Sequence, residues 1–282
     1  MLGSFAEAED AVQETWLRLN RTGVDGIENL GGWLTTVTAR ICLNMLRTRE
    51  TRREEPLDTG TGTRIGTLDG VRIPDPVVSD PSGLDPEQQV LLADSVGLAL
   101  LVVLESLSPA ERVAFVLHDM FAVPFDEIAP LIERTSAATR QLASRARRRV
   151  QGQAPSPDPD LIRQREVVDA FFAASRDGAF DALVAVLHPD VVLRSDGGPK
   201  RAGQTVVLNG AHTVASQAAT YRRMAPFVRP ALINGAAGAV VAANGIPLSV
   251  MAFTVSDGLI VAIDVIVDPD RLRTLDLSAA LG

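Results

Sequence analysis

The 282-residue chain has a single cysteine, Cys42, which excludes a disulfide framework. Only three histidines occur (His118, His188 and His212), far apart in sequence, so no Cys/His spacing that holds a metal is present. The longest apolar stretch, residues 96–104, is about half of what a membrane span needs. The chain opens Met-Leu-Gly-Ser-Phe-Ala-Glu-Ala-Glu-Asp, with neither the basic region nor the apolar core of a signal peptide. Aromatics make up only 4% of the residues, so the cores are expected to be aliphatic and largely helical. Together these absences lead to the expectation of a soluble cytoplasmic protein with no metal, no cofactor and no membrane partner. What is present is globular: 46% hydrophobic and 22% charged, enough chain for two or three domains. A net charge of −8 and a pI near 5.0 argue against indiscriminate nucleic-acid binding but leave room for local basic patches.

Charge is unevenly spread. Residues 40–53 hold five arginines against one acid, residues 54–105 hold ten acids against two arginines, and residues 135–150 hold five arginines and no acid. Residues 54–89 are acidic and carry Pro56, Pro74, Pro76, Pro81 and Pro86, a composition that reads as a linker rather than a packed core. Residues 151–160 form a second, shorter boundary. The expected organisation is a helical part over 1–53, the linker over 54–89, a second helical part over 90–150, and a third domain over 161–276.

In the first part, a helix starting near Ala6 is expected to bury Ala8, Val12, Trp16 and Leu19. The other side carries Asp10, Gln13, Glu14 and Leu17, either a docking patch for a basic partner or an ordinary acidic helix face. The next helix places Leu34, Val37, Ile41 and Met45 on one face and Trp33, Thr36, Arg40, Asn44 and Arg47 on another. The second face joins a ring that can stack on a base to hydrogen-bonding groups and cations for phosphates, or is simply a solvated basic face.

In the second part, Ser108-Pro109-Ala110-Glu111 is an N-cap, a proline at the first helical position and a glutamate three residues after the cap. A short helix over 125–132, a tight turn and a longer helix from about Ser136 fit a helix-turn-helix. Pro130 should end or kink the short helix, and the turn has no glycine. On the longer helix Ala138, Leu142, Ala146 and Val150 should face inward. Arg140, Gln141, Ser144, Arg147 and Arg148 face the other way, and arginine and glutamine can read guanine and adenine edges in a major groove. A generic amphipathic arginine helix is the competing reading.

The third part begins with helical stretches at 162–177 and 180–188. β-rich runs follow at 191–194, 205–208, 227–233, 239–243, 248–255 and 259–267, with a helix around 211–224 between them. Turns fall at Asp196-Gly197-Gly198, Asn209-Gly210, Asn234-Gly235, Asn244-Gly245 and Asp257-Gly258, so an α+β domain is expected. His188, Asp190, Asp196 and Asp264 are its candidate acid/base residues. Asp264 is either a buried aspartate whose raised pKa suits a base or, since alternation sets it on the opposite face from Ile263 and Val265, a residue that simply faces solvent.

The blocks Asp10-Ala-Val-Gln-Glu-Thr-Trp-Leu-Arg18 and Gly32-Trp-Leu-Thr-Thr-Val-Thr-Ala-Arg-Ile-Cys-Leu-Asn44 resemble region 2 of bacterial extracytoplasmic-function sigma factors. Leu107-Ser-Pro-Ala-Glu-Arg-Val-Ala-Phe-Val-Leu-His118, Phe125-Asp-Glu-Ile-Ala129 and Arg140-Gln-Leu-Ala-Ser-Arg-Ala-Arg-Arg-Arg149 resemble region 4. Asp196-Gly-Gly-Pro-Lys200 and Asp268-Pro-Asp-Arg-Leu272 are similar to signatures of the SigJ-like or SigI-like subgroup, whose members carry a C-terminal SnoaL-like domain. The resemblance implies a multidomain fold: two all-α sigma domains, the second a helix-turn-helix, then an α+β SnoaL/NTF2-like cone. It implies core RNA polymerase as partner of Asp10, Gln13, Glu14 and Leu17. Promoter DNA would meet Trp33, Thr36, Arg40 and Asn44 at the −10 element and Arg140, Gln141, Ser144, Arg147 and Arg148 at the −35 element. It further implies intramolecular control, in which Asp196, Gly197, Gly198 and Lys200, with Asp268, Pro269 and Asp270, contact the sigma regions. The chain starts close to the core-binding helix, about one helix short of the family's region 2, an expectation of either a start placed too far downstream or a lost helix. A stand-alone helix-turn-helix regulator, an inactive truncated sigma factor and a SnoaL-type enzyme are the other readings.

Overall fold

A computed structural model describes residues 1–24, 26–54, 72–80, 98–153 and 157–282. The chain divides into two units, one made of Met1–Ile65 and Val103–Gln153, the other of Gly66–Val102 and Ala154–Gly282.

The first unit is helical: α1 (Phe5–Thr22), α2 (Leu30–Glu54), the C-terminal end of α3 (Leu98–Glu105), α4 (Pro109–Phe115), α5 (Phe125–Ile128) and α6 (Ser136–Gln153). The face of α1 differs from expectation. Ala11, Thr15 and Leu19 are buried, whereas Ala8 is exposed and Val12 and Trp16 are 64% and 60% exposed. Small residues decide the roll. Thr15 donates to Ala11 O and its hydroxyl lies 3.1 Å from that of Thr38, a close approach of α1 and α2 that a bulky Val12/Trp16 face cannot make.

Helix α2 is buried on two sides. Ile41, Cys42 and Leu46 pack with Leu2 and Ala11, while Ala39 and Leu43 join Val113, Ala114, Leu117, Ile128, Ile132 and Ala143 in a second core. The expected face held Ile41 but missed Ala39 and Leu43, which alternate with polar Arg40 and Asn44 and so leave no clean apolar stripe.

The second unit is α+β. Helices α7 (Leu161–Asp177), α8 (Phe180–Ala185), α9 (Ala211–Thr220), α10 (Pro269–Thr274) and α11 (Ser278–Leu281) accompany a seven-stranded sheet. Its strands are β1 (Val78–Ser79), β2 (Leu187–Asp196), β3 (Val206–Asn209), β4 (Val228–Ile233), β5 (Ala236–Ala243), β6 (Ile246–Ser256) and β7 (Leu259–Ile266), in the order β1-β4-β5-β6-β7-β2-β3. Among the described residues only β2 and β7 pair in parallel; the hairpins turn on Asn234, Asn244 and Asp257, each left-handed and each followed by a left-handed glycine. Two positive φ values in succession are what a two-residue hairpin of right-twisted strands needs. One core holds Phe171, Leu183, Val191, Val214, Phe253, Ile260 and Ile263. A second holds Ile73, Leu98, Val240, Val250, Ile266 and Leu272.

The reading of residues 54–89 as linker and 90–150 as one helical part is revised by this division. Ile73 is fully buried, Val78 and Ser79 pair with Ile233 and Leu232, and Leu98 belongs to the core of the second unit. The residues between α2 and α3 thus supply an edge strand to the C-terminal sheet. Residues 55–71 and 81–97, where the remainder of that expectation falls, lie outside the described residues.

Candidate nucleic-acid interface

The helix-turn-helix is assembled from its caps. Ser108 and Glu111 form the expected capping box, the Ser108 N–H donating to Glu111 Oε2 at 3.2 Å and the Glu111 N–H to Ser108 Oγ at 3.4 Å. The same Glu111 carboxylate accepts from Arg149 Nη1 at 3.2 Å and lies 3.6 Å from Arg145 Nε, so one acid both starts α4 and braces α6. A π-helical turn, Val116–Met120, closes α4. Helix α5 stops at Ile128, two residues before Pro130. The turn lacks a glycine, and Glu133 takes the left-handed conformation there at φ 57°.

On α6 the fully buried ridge is Thr139, Ala143 and Ala146. Of the expected inward set only Ala146 is buried outright; Ala138, Leu142 and Val150 are half-buried beside it. The outward set is where the periodicity placed it: Arg140, Gln141, Ser144 and Arg148 are exposed and Arg147 is half-buried. Two of these side chains are held. Arg147 Nε and Nη2 donate to Asp119 Oδ1 at 2.8 and 2.6 Å, and the Arg140 guanidinium lies 5.5 Å over the Phe125 ring centre.

On α2, Arg40 and Asn44 are exposed and Trp33 and Thr36 half-buried, one face with a ring at its N-terminal end and a cation in its middle. On α1, Asp10, Gln13 and Leu17 are exposed, and Glu14 pairs with Arg18 at 2.8 Å.

In the second unit the two turn motifs come together. Asp196 and Asp268 are buried, and a Cβ on Gly198 would lie 2.0 Å from Asp268 Oδ2 while one on Gly197 would lie 2.1 Å from Arg201 O. Both glycines are required by this close packing. Asp268 caps α10 with Pro269 at its first position, and Lys200 reaches Asp270 at 2.8 Å. Lys200 and Arg273 hold the exposed Asp270 carboxyl below the usual carboxylate range, the hydrogen bond from Lys200 first.

What these motifs grip is the β1 segment. Asp196 Oδ2 accepts from the Ile73 N–H at 3.0 Å and from Arg271 Nη1 at 2.6 Å. Arg271 also donates to Ile73 O at 2.5 Å and to Asp75 Oδ1 at 3.0 Å through Nε. Asn234 closes the far end: its Oδ1 accepts from the Val77 N–H at 2.7 Å and its N–H donates to Val77 O at 2.8 Å. Sequence reasoning missed Asp75, Arg271 and Asn234 as partners because each sits in a turn-rich run whose bonding partner is more than 75 residues away or nearly so.

The candidate acid/base residues are not assembled. Of the two readings of Asp264 the buried one holds: it is shielded from solvent and forms a two-point ion pair with Arg194 at 2.6 and 3.1 Å. A cross-strand arginine on neighbouring β2 is what keeps the carboxylate off the solvent. His188 and Asp190 lie at the start of β2, not at a helix end, with the Asp190 N–H donating to His188 Nδ1. Asp196 is committed to Arg271.

Residues 1–52 match the family profile for sigma-70 region 2, and residues 97–150 that for sigma-70 region 4. Over 96% of its length the chain is 38% identical to the ECF RNA polymerase sigma factor SigJ of Mycobacterium tuberculosis, covering 87% of that protein. This chain belongs to the ECF family of RNA polymerase sigma factors. It is also 36% identical to a probable ECF sigma factor, SigI, of the same species, with 98% of this chain and 89% of that one covered. The crystal structure of M. tuberculosis SigJ superposes with a TM-score of 0.71 at 36% identity, over 98% of this chain and 92% of that one. As an ECF sigma factor it directs transcription initiation, and its fold is the two sigma domains followed by an α+β domain. Among the described residues no helix is long and apolar enough to cross a membrane.

Proposed function

We propose that this sigma factor binds core RNA polymerase through the α1 surface of Asp10, Gln13, Glu14 and Leu17. The α2 face of Trp33, Thr36, Arg40 and Asn44 engages the −10 element, and the α6 face of Arg140, Gln141, Ser144, Arg147 and Arg148 the −35 element. The observation that carries the reading is the outward arginine–glutamine face of α6 on a properly capped helix-turn-helix, within the stretch that matches region 4.

In this conformation α2 and α6 contribute to one apolar core through Ala39, Leu43 and Ala143. Promoter elements about 25 base pairs apart are separated by about 85 Å of duplex at 3.4 Å per step, which two helices sharing a core do not span. The structure is therefore read as a closed form that opens on the polymerase. The C-terminal domain takes hold of residues 73–79 between α2 and α3, and that hold is the proposed intramolecular control.

The test is run-off transcription with reconstituted holoenzyme. Full-length protein should initiate from a selected promoter, Arg140→Ala and Arg148→Ala should lose −35 protection, and Leu17→Ala should lower affinity for core polymerase. A wild-type chain that binds duplex equally well with and without core, and never initiates, would make it a stand-alone helix-turn-helix regulator instead.

A further inference from the structure

The π-helical turn at the end of α4 does more than terminate a helix. It carries the consecutive residues His118 and Asp119, and each leads to a different arginine of α6. His118 is fixed by its Nδ1 at 3.0 Å from Val123 O, where the ring nitrogen donates to the carbonyl, and its ring lies 3.8 Å from that of Phe125 at an interplanar angle of 30°. Phe125 in turn carries Arg140 over its face. Asp119 takes Arg147 directly, and both of its bonds fall on the Nε/Nη2 edge of the guanidinium. The Arg147 side chain remains 42% exposed, and neither of these two bonds uses its Nη1. A guanidinium has five donors in a planar fork, and one held by its Nε edge points the remaining donors in a fixed direction.

The two arginines are seven residues apart, two turns of one helix, and so share a face. At about 1.5 Å rise per residue their Cα atoms are separated by about 10 Å along the helix, equal to about three base steps of duplex. An unrestrained arginine spends its rotamer freedom on reaching a base; one already stacked or bridged loses less per bond formed and discriminates more sharply.

We infer that the π-turn, through Asp119 on Arg147 and His118–Phe125 on Arg140, is a positioning device for −35 recognition that presets the two arginines to read purines about three base pairs apart. Neither Asp119 nor Phe125 touches DNA; each acts through its arginine. The inference rests on α6 being the −35 helix, as proposed above.

The experiment is selection by the full chain, with core polymerase, from a duplex library randomised across the −35 window, followed by competition between single-base variants. The wild type should select two purines about three pairs apart. Asp119→Asn should flatten the preference at one of them by roughly three- to tenfold and leave the other intact; Phe125→Leu should do the converse. Phe125→Tyr, which keeps the ring, should restore it. Melting temperatures of the variants separate loss of positioning from loss of fold, since a merely structural role lowers both preferences together. Unchanged preferences in Asp119→Asn and Phe125→Leu, or equal flattening of both positions, would overturn the inference while leaving the −35 assignment standing. A wild type that selects no sequence at all would remove the −35 assignment itself and the inference with it.

Discussion

Arg271→Ala should release the β1 segment from the C-terminal sheet. The guanidinium is shared by Asp75, Asp196 and Ile73 O, and its side chain and those of its two carboxylate partners are each at most 14% exposed. Removing this guanidinium takes a charged partner from two poorly solvated carboxylates, and the cost of breaking such a buried pair is about 3–5 kcal/mol. At the lower end, appropriate because a little water reaches all three groups, that is about two orders of magnitude in the local opening equilibrium, at about 1.4 kcal/mol per tenfold. The two-pair β1–β4 ladder adds little, although burial of Ile73 still contributes about 2 kcal/mol toward docking. Amide hydrogen exchange reads this residue by residue. The Ile73, Val77 and Asn234 N–H groups, all bonded across the segment, should exchange about a hundredfold faster, while Val240 and Val250 in the sheet centre keep their protection. Arg271→Lys should recover only part, since an ammonium lacks the planar fork that spans three acceptors. Unchanged exchange at Ile73 and Asn234 in Arg271→Ala would refute the reasoning, as would a uniform rise across the whole sheet.

Glu133→Gly should stabilise the helix-turn-helix by about 0.5–1 kcal/mol, read as a higher denaturant midpoint, because the left-handed backbone strains any side chain there and the bridge to Arg47 at 3.8 Å is exposed. Leu43→Ala should cost about 2–5 kcal/mol from the core that α2 shares with the helix-turn-helix, whereas a loss under 1 kcal/mol would mean the two do not pack as described. Burial pushes the Cys42 thiol up from its ordinary value, so it should resist alkylation at pH 8 until the first unit unfolds; rapid native-state labelling would contradict that. Asp270 is depressed by Lys200 and Arg273, so its contribution to stability is present above the ordinary carboxylate pKa and disappears as pH falls through the depressed one. Lys200→Met should raise the Asp270 midpoint in an NMR titration, and an unmoved midpoint would show the pair to be absent in solution.

Several elements were legible because the signal is local. The Ser108–Glu111 cap, the end of α5 ahead of Pro130 and the three Asn-Gly or Asp-Gly hairpins each depend on residues within a few positions of one another. The outward face of α6 was legible for the same reason, since helical periodicity alone sets which residues lie together. The roll of α1 was not. Hydrophobicity favours burying Val12 and Trp16, but the approach of α2 is controlled by the small residues Ala11 and Thr15, and size matters only once a partner helix is in place.

The sequence by itself determined the sequence of domains, the family and the faces of α2 and α6 that carry cations and hydrogen-bonding groups. All of these follow from short-range patterns and from blocks of residues in order. Only the tertiary structure decided that Ile73 and Asp75 belong to the C-terminal domain, that Asp264 is a paired structural carboxylate, and that Asp119 and Phe125 contact two arginines of α6. An acidic, proline-rich run reads as solvated chain until an arginine nearly 200 residues away supplies the charge that makes its burial favourable.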